Sequence, residues 1–265
     1  MEILLIDLPT VQKSGRLDFD FFCPTQETQI TLVQGYKKAT LASLCSHIGT
    51  GKTAPRNSYP DTGVRILKVK NLQEKGVDWK PTFFVTEEFY ASAEKKARVR
   101  ESDILMLCSA HNKVYIGRTA IIKQFPKAVK DDNERCLCVG ELIIIRADPA
   151  RVLPDYLITF LRLPIVQEMV RRMVKGQTAH LYPRDLKNLE VVLPSKQVQQ
   201  EIADMNAAAE EEYFARIRTA TEDLAASRSI IKNLILTGSG DGNGTPESLL
   251  IPTAPSDDDT ADANQ

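Results

Sequence analysis

Residues 176–236 read GQTAHLYPRDLKNLEVVLPSKQVQQEIADMNAAAEEEYFARIRTATEDLAASRSIIKNLIL. A polar turn, Gly176-Gln177-Thr178, leads toward a short apolar strand at Leu189–Leu193, and Pro194-Ser195 stops that strand. Ser195 stands where a helix N-cap is expected. Neither Gly nor Pro occurs from Lys196 to Thr237, and Gly238 follows where a C-terminal glycine belongs. The pattern predicts one helix of roughly forty residues, ~60 Å long at 1.5 Å per residue. Val198, Ile202, Met205, Ala209, Tyr213, Ile217, Ala220, Leu224, Ser227, Ile231 and Leu234 recur along it at spacings of three and four. This is a heptad-like seam with one stutter between Ala209 and Tyr213. Such a rod either lies on its own domain or pairs with a second helix. Its length, the seam and the charged flanks (Glu210, Glu211, Glu212, Arg216, Arg218) favour pairing.

The chain has 265 residues, enough for one globular domain of about 150–200 residues plus an extension. A net charge of −1 conceals an asymmetry. The stretch from Ser239 to Gln265 holds Asp241, Glu247, Asp257, Asp258, Asp259 and Asp262 and no base, so the remainder is +5. A basic body permits an anionic partner without requiring one. The Gly-, Ser-, Pro- and Asp-rich end reads as disordered. Cys23, Cys45, Cys108, Cys136 and Cys138 form no Cys-x-x-Cys pair, and an odd count fits a reducing compartment. No apolar run approaches the ~20 residues of a membrane span, and MEILLIDLP lacks the basic leader of a signal peptide. A cytoplasmic protein is expected.

Working back along the chain, Ile3–Ile6 is a candidate strand, and RLDFDFFCP (16–24) an aromatic segment that packs on the main domain. GTGKTAPRNSYPDTG (49–63) is a loop. Val64–Lys70 alternates apolar and basic residues and, with Val77–Trp79 as its return, predicts a hairpin over 64–79. A short helix is expected over Thr86–Lys96, and strands over Ile104–Leu107, Val114–Ile122 and Leu142–Arg146. Pro154–Val174 reads as helix with a break at Pro164. The whole is α+β, divided as an N-terminal lead-in (1–39), a globular domain (40–194), the long helix (195–237) and the acidic tail (238–265).

Catalytic constellations start and fail. Gly51-Lys52-Thr53 suggests a phosphate loop, but Ser46 stands where its first glycine is needed, and Pro55 and Pro60 interrupt any following helix. Asp61, Asp78 and Lys80 match the loose pattern of a metal-dependent nuclease, which needs two carboxylates and a lysine to converge. A hairpin over 64–79 would bring Asp61 near Lys80. No Pro-Pro occurs, so an amine-binding methyltransferase loop is missing. His47, His111 and His180 have no metal-binding or nucleophile spacing. No cofactor and no metal is expected.

What remains is a set of polar loops with the side chains that meet nucleic acid. They are Lys52, Thr53, Arg56 and Asn57; Lys68, Lys70 and Asn71; His111, Asn112 and Lys113; and Gln177, Thr178, His180 and Tyr182. Lys and Arg suit phosphates and guanine edges, and Asn and Gln suit adenine edges. For any one of them a solvated surface loop is the simpler account; the Gly-flanked loops together are more persuasive than any member.

The segments IGTGKTAPRN, GVRILKVKNL, VRESDIL, GRTAII, DYLITFLRLP, GQTAHLYPRDLKNLEVVLP and the helix start KQVQQEI, in that order, resemble one target-recognition domain and one spacer helix of a type I restriction–modification specificity subunit. They span about Thr40 to Leu236, and RLDFDFF resembles the entry segment of such domains. The resemblance implies a non-catalytic, sequence-specific subunit that binds double-stranded DNA at a bipartite site. Methyltransferase and translocating nuclease subunits then carry the chemistry. It identifies no contact residue. A full subunit of that family has two recognition domains and two spacers, whereas one of each is present here. This chain therefore looks like a half-subunit whose seam, through Ile202, Met205, Tyr213, Ile217, Leu224 and Ile231, pairs with a second copy.

Overall fold

Ile104–Leu107 and Leu142–Ile145 are apolar at every position, which a strand sustains only when both of its faces are covered. Both prove central. In the computed structural model, residues 9, 12 and 37–237 are described, except 56–58, 81, 177 and 178. The expected strand at Ile3–Ile6, the aromatic segment 16–24 and the acidic tail lie outside the described residues.

The described chain enters on β1 (Lys38–Thr40), a single helical turn α1 (Leu41–Leu44) and β2 (Cys45–Thr50). After the polar loop come β3 (Val64–Leu67), β4 (Leu72–Gln73), β5 (Gly76–Val77), β6 (Phe84–Val85) and α2 (Glu87–Ala91). Then follow β7 (Ile104–Leu107), β8 (Ser109–Ala110), β9 (Thr119–Ile121), α3 (Lys127–Lys130), β10 (Cys136–Cys138) and β11 (Leu142–Ala147). The last part is α4 (Pro154–Arg162), α5 (Pro164–Arg172), β12 (Ala179–His180), α6 (Pro183–Leu186), β13 (Glu190–Val192) and the long helix α7 (Lys196–Thr237).

An antiparallel sheet, ordered β2-β11-β7-β9, forms the centre. Side chains alternate across it with the strand period of two. Ile104, Met106, Ile143 and Ile145 join a core with α4 and α5, built on Tyr156, Leu157, Leu161 and Val170. Leu105, Leu107, Leu142 and Ile144 face the opposite way, into a second core under the sheet β10-β3-β6. The α+β class and the long terminal helix are as the sequence predicts.

Three local expectations are corrected. Residues 64–79 do not make one hairpin. Val64, Ile66 and Leu67 are buried, so β3 runs between two neighbours, parallel to β10 and antiparallel to β6. Only β4 and β5 form a hairpin, turning where Gly76 takes φ +135°. Val114–Ile122 is not a strand throughout. The Asn112 side chain accepts from the Val114 N–H at 3.0 Å and starts a 3-10 turn over Lys113–Tyr115, leaving β9 three residues long. The helix expected over Thr86–Lys96 ends at Ala91 and gives way to a 3-10 turn at Lys95–Ala97. The break at Pro164 is found, where Leu163 separates α4 from α5.

The chain forms two compact units that meet at Glu210/Glu211. Helix α7 begins as expected, with the Ser195 hydroxyl accepting from the Val198 N–H at 3.3 Å. Its first turns belong to the first unit. Gln199, 1% exposed, accepts from the Leu153 N–H at 2.9 Å and donates to the Pro194 carbonyl at 2.9 Å. The Tyr156 hydroxyl donates to the Val192 carbonyl at 2.6 Å. Ile202 packs on the core, whereas Met205 is 73% exposed. The early seam is therefore set by docking on the domain, not by the heptad. Beyond it Tyr213, Ile217, Leu224, Ile231 and Leu234 are all exposed.

Arg162 closes this first section. It donates to Glu210 Oε1 at 2.6 Å, to the Glu74 carbonyl at 2.9 Å and to the Thr119 carbonyl at 3.1 Å. Arg162→Ala removes three charge-assisted hydrogen bonds in a half-buried setting. We expect a loss of about 1.5–3 kcal/mol, read from the urea midpoint at unchanged slope. A loss within about 0.5 kcal/mol, ordinary for a surface change, would show the clamp to be idle.

Candidate nucleic-acid interface

The polar loops, scattered in sequence, follow strands of three sheets, and a short turn at Val139–Glu141 ties the ends of those strands together. The Gly51 N–H donates to the Leu142 carbonyl at 2.9 Å and the Lys52 N–H to the Cys138 carbonyl at 2.8 Å. Val139 N–H donates to the Leu67 carbonyl at 3.0 Å, and Cys108 N–H to the Glu141 carbonyl at 2.8 Å. Leu181 N–H then donates to the Cys108 carbonyl at 2.8 Å. The ends of β2, β3, β7 and β12 thus share one anchor. Gly51 is required there. A Cβ on it would stand 2.1 Å from the Cys138 carbonyl oxygen and 2.5 Å from that of Val139, and backbone cannot give way.

The sequence candidates divide by what holds them. Lys52 donates to the Ser92 carbonyl at 3.0 Å and hydroxyl at 2.8 Å, which pins its loop to the end of α2. Thr53 accepts from the Gly140 N–H at 2.7 Å and donates to Glu141 at 2.9 Å. Asn71 is corrected outright. It is 1% exposed, accepts from the Lys68 N–H at 2.8 Å and donates to the Asp78 carbonyl at 2.7 Å, so it shapes a turn and reaches no ligand. The Lys68 ammonium sits 3.4 Å from the Tyr59 ring centre and 4.3 Å from that of Phe83. Burial pushes its pKa down, Lys70 adds to this and Glu141 opposes it. Lys70 is exposed. Arg56, Asn57, Gln177 and Thr178 lie outside the described residues.

His111, Asn112 and Lys113 are exposed on the loop after β8. β8 pairs with β12, Ala110 opposite Ala179 and Ser109 opposite His180, which sets this loop beside the second one. The His180 and Tyr182 rings lie 4.7 Å apart, and the Arg184 guanidinium is 5.3 Å from the Tyr182 ring. Gly117, at φ +92°, folds Arg118 back over Tyr115 at 4.3 Å. Two groups of cations and rings result, Lys113, Tyr115 and Arg118 on the segment after β8, and His180, Tyr182 and Arg184 around β12. Each offers cations for phosphates and flat groups for sugars and bases. Tyr115, Arg118 and Arg184 were not among the sequence candidates. Reading 114–122 as strand hid the first two, although an aromatic and an arginine three apart beside a glycine were visible.

The nuclease alternative fails on geometry. Asp61 precedes β3, while the Asp78 N–H bonds the Asn71 carbonyl beyond the other end of that strand. Asp78 Oδ1 accepts from the Lys80 N–H at 2.9 Å, so it shapes a local turn. Among the described residues, no group of three or more His, Cys, Asp or Glu could hold a metal. Burial pushes the Cys45, Cys108 and Cys136 thiols up to about 12, which keeps them protonated and inert. No described helix is long and apolar enough to cross a membrane.

No family model and no curated protein sequence matches the chain. Solved structures do. One, from work on complex assembly and conformational transition of the type I R-M system, superposes with a TM-score of 0.54 at 17% identity, over 76% of this chain and 45% of that one. Another, the HsdS subunit from Thermoanaerobacter tengcongensis, gives a TM-score of 0.50 at 17% identity, over 72% of this chain and 41% of that one. This chain has the fold of a type I specificity subunit. It spans less than half the length of either matched chain.

Proposed function

We propose that this chain is a sequence-specific DNA-binding subunit that directs a partner adenine methyltransferase, and carries no catalysis itself. The type I specificity-subunit fold is the observation that carries this reading. Residues 40–194 then form the target-recognition domain and 195–237 the spacer, with 1–39 as lead-in and 238–265 as an acidic tail. Lys113, Arg118 and Arg184 meet backbone phosphates, while Asn112, Gln177, Thr178, His180 and Tyr182 face base edges. Asn112 uses its oxygen for the Val114 cap, and its amide donors suit an acceptor on a base. Lys52, Thr53 and Lys68 brace the loops.

The seam from Tyr213 to Ile231 pairs with the same seam of a second copy in an antiparallel homodimer. Two recognition domains related by a two-fold axis read an inverted repeat with an unread gap, because target symmetry mirrors protein symmetry. A translocating nuclease subunit is the further partner.

The test reconstitutes the chain with its methyltransferase subunit and maps methylated adenines across a genome. A single bipartite motif is expected. Lys113→Ala with Arg118→Ala should weaken binding on every sequence and lower the salt slope by about 1 for each phosphate no longer neutralised. Asn112→Ala should relax one base pair by ~1–3 kcal/mol. A well-formed complex that shows no motif would sink the proposal.

A further inference from the structure

β2 is an edge strand of the central sheet, and a groove of about 680 Å³ runs along it. The strand, Lys52, the 3-10 turn at Lys95–Ala97 and Lys187 form its walls. The backbone fixes those walls: the Ala42 N–H bonds the Lys187 carbonyl at 3.0 Å, and Lys52 is held on Ser92. Three lysines therefore line one cleft. Lys52 is held by neutral oxygens, and Lys96 alone of the three has a carboxylate partner among the described residues, Glu94 at 2.8 Å.

On the strand itself, His47 turns to the face opposite the buried Ile48. Its Nε2 is buried and has no hydrogen-bond partner. A buried polar atom without a partner is costly, and this one lies in the wall of a cationic groove. Gly49 makes the position possible, since a Cβ there would stand 2.8 Å from the imidazole Cε1. Glu94 also lines the groove and is paired with Lys96, so three lysines against one carboxylate leave the lining net positive, and a net positive cleft draws an anion.

We propose that this groove is a phosphate site, in which Lys52, Lys96 and Lys187 supply the countercharge and the His47 ring, turned outward, gives its otherwise unpartnered Nε2 as a donor to a phosphate oxygen. Its occupant is the sugar–phosphate backbone of the bound DNA, because the Lys52 N–H bonds the Cys138 carbonyl beside the same 139–141 turn to which Cys108 and, through it, Leu181, at the bases of the proposed reading loops, are tied. The inference rests on the proposed function and adds to it a backbone contact beyond the loops.

Burial lowers the His47 pKa first, then Arg146, Lys96 and Lys187 lower it further against an opposing Asp103. These charges and burial favour the uncharged imidazole, which carries one N–H, and the proposal places it on Nε2.

The test uses the full chain in complex with methyltransferase. Lys96→Ala with Lys187→Ala should lower the slope of log affinity against log salt by about 0.9 for each phosphate left unneutralised, with the methylation motif unchanged. Gly49→Ala displaces the imidazole without altering charge, so it should weaken DNA binding several-fold at constant slope. With three histidines in the chain, the His47 ring signals in a 13C-histidine-labelled sample can be assigned by His47→Gln. They should shift when a duplex carrying the motif is added. Normal, motif-specific binding by the double lysine variant with an unchanged slope would overturn the phosphate site and leave the proposed function standing. A His47 signal moved by inorganic phosphate but not by duplex would make this a free-anion site, and overturn the DNA assignment. Absence of any DNA affinity in the wild-type complex would bring down both.

Discussion

Asp103→Ala should cost about 3–5 kcal/mol, the range for breaking a buried ion pair from one side. Asp103 is 0% exposed in the turn before β7. Its Oδ1 accepts from Arg146 Nε at 2.7 Å and its Oδ2 from Arg146 Nη2 at 2.7 Å. Oδ2 also accepts from the Arg100 N–H at 2.8 Å, and Arg146 Nη2 donates to the Arg98 carbonyl at 2.8 Å. Two of these hydrogen bonds lock the start of β7 to the end of β11, the two central strands that carry both cores, and the other two tie the pair to residues 98 and 100. Alanine leaves a nearly buried guanidinium without its counter-ion. A domain has only about 5–15 kcal/mol in all, so roughly a fifth or more of its stability should go. Urea unfolding measures this directly. The double replacement Asp103→Leu with Arg146→Met should recover most of the loss, because an apolar pair of similar volume leaves no charge to desolvate. A single-variant loss under about 1 kcal/mol, the centre of ordinary substitutions, would show that water reaches the pair.

Ile217→Asp with Leu224→Asp should separate the proposed dimer. Both residues are about half exposed in the single chain, at 43% and 52%, so the variant monomer meets no steric or burial penalty. In a paired seam each aspartate would enter an apolar contact with no cation opposite it. We expect at least ~3 kcal/mol against association, a rise of more than ~100-fold in the dimer dissociation constant. Analytical ultracentrifugation gives that constant. Melting of the unit that ends at Glu210 should not change, since neither residue belongs to it. Ala226→Asp lies on another side of the helix and should leave the dimer intact. A native chain that stays monomeric at micromolar concentration would refute homodimerisation and assign the seam to a helix of another polypeptide.

Much of the fold was legible because its signals are local. Proline and serine at 194–195 start a helix wherever they precede an unbroken run, and Lys196–Thr237 is that helix. The wholly apolar Ile104–Leu107 and Leu142–Ile145 had to be central strands. The segments that carry the family resemblance turn out to be largely scaffold. Gln199 of KQVQQEI bonds to Pro194 and to Leu153 beside α4, Tyr156 of DYLITFLRLP bonds to Val192 of the strand, and Asp103 of VRESDIL bonds to Arg146. Buried partners constrain residue type, which is why such segments can be recognised at all. The exposed His111 and Lys113 carry no such constraint, so other polar side chains fit the fold there and the sequence alone could not rank them against the held residues of the polar loops.

By itself the sequence determined the α+β class, the long helix with its limits, and which loops were polar. The tertiary structure alone decided what those loops could do. Whether a polar side chain is held by the protein or offered to a ligand depends on partners far away in the chain. Thr53 is held by Glu141 and Gly140, and Asn71 by Asp78. Lys113 is left exposed, and Arg118 folds over the Tyr115 ring where Gly117 turns the chain. Pairing of β8 with β12 sets residues 109–110 against residues 179–180, a contact that no periodicity records. Local pattern fixes backbone conformation through short-range sterics and burial, whereas a binding surface is made by long-range hydrogen bonds that close only when the sheet is complete.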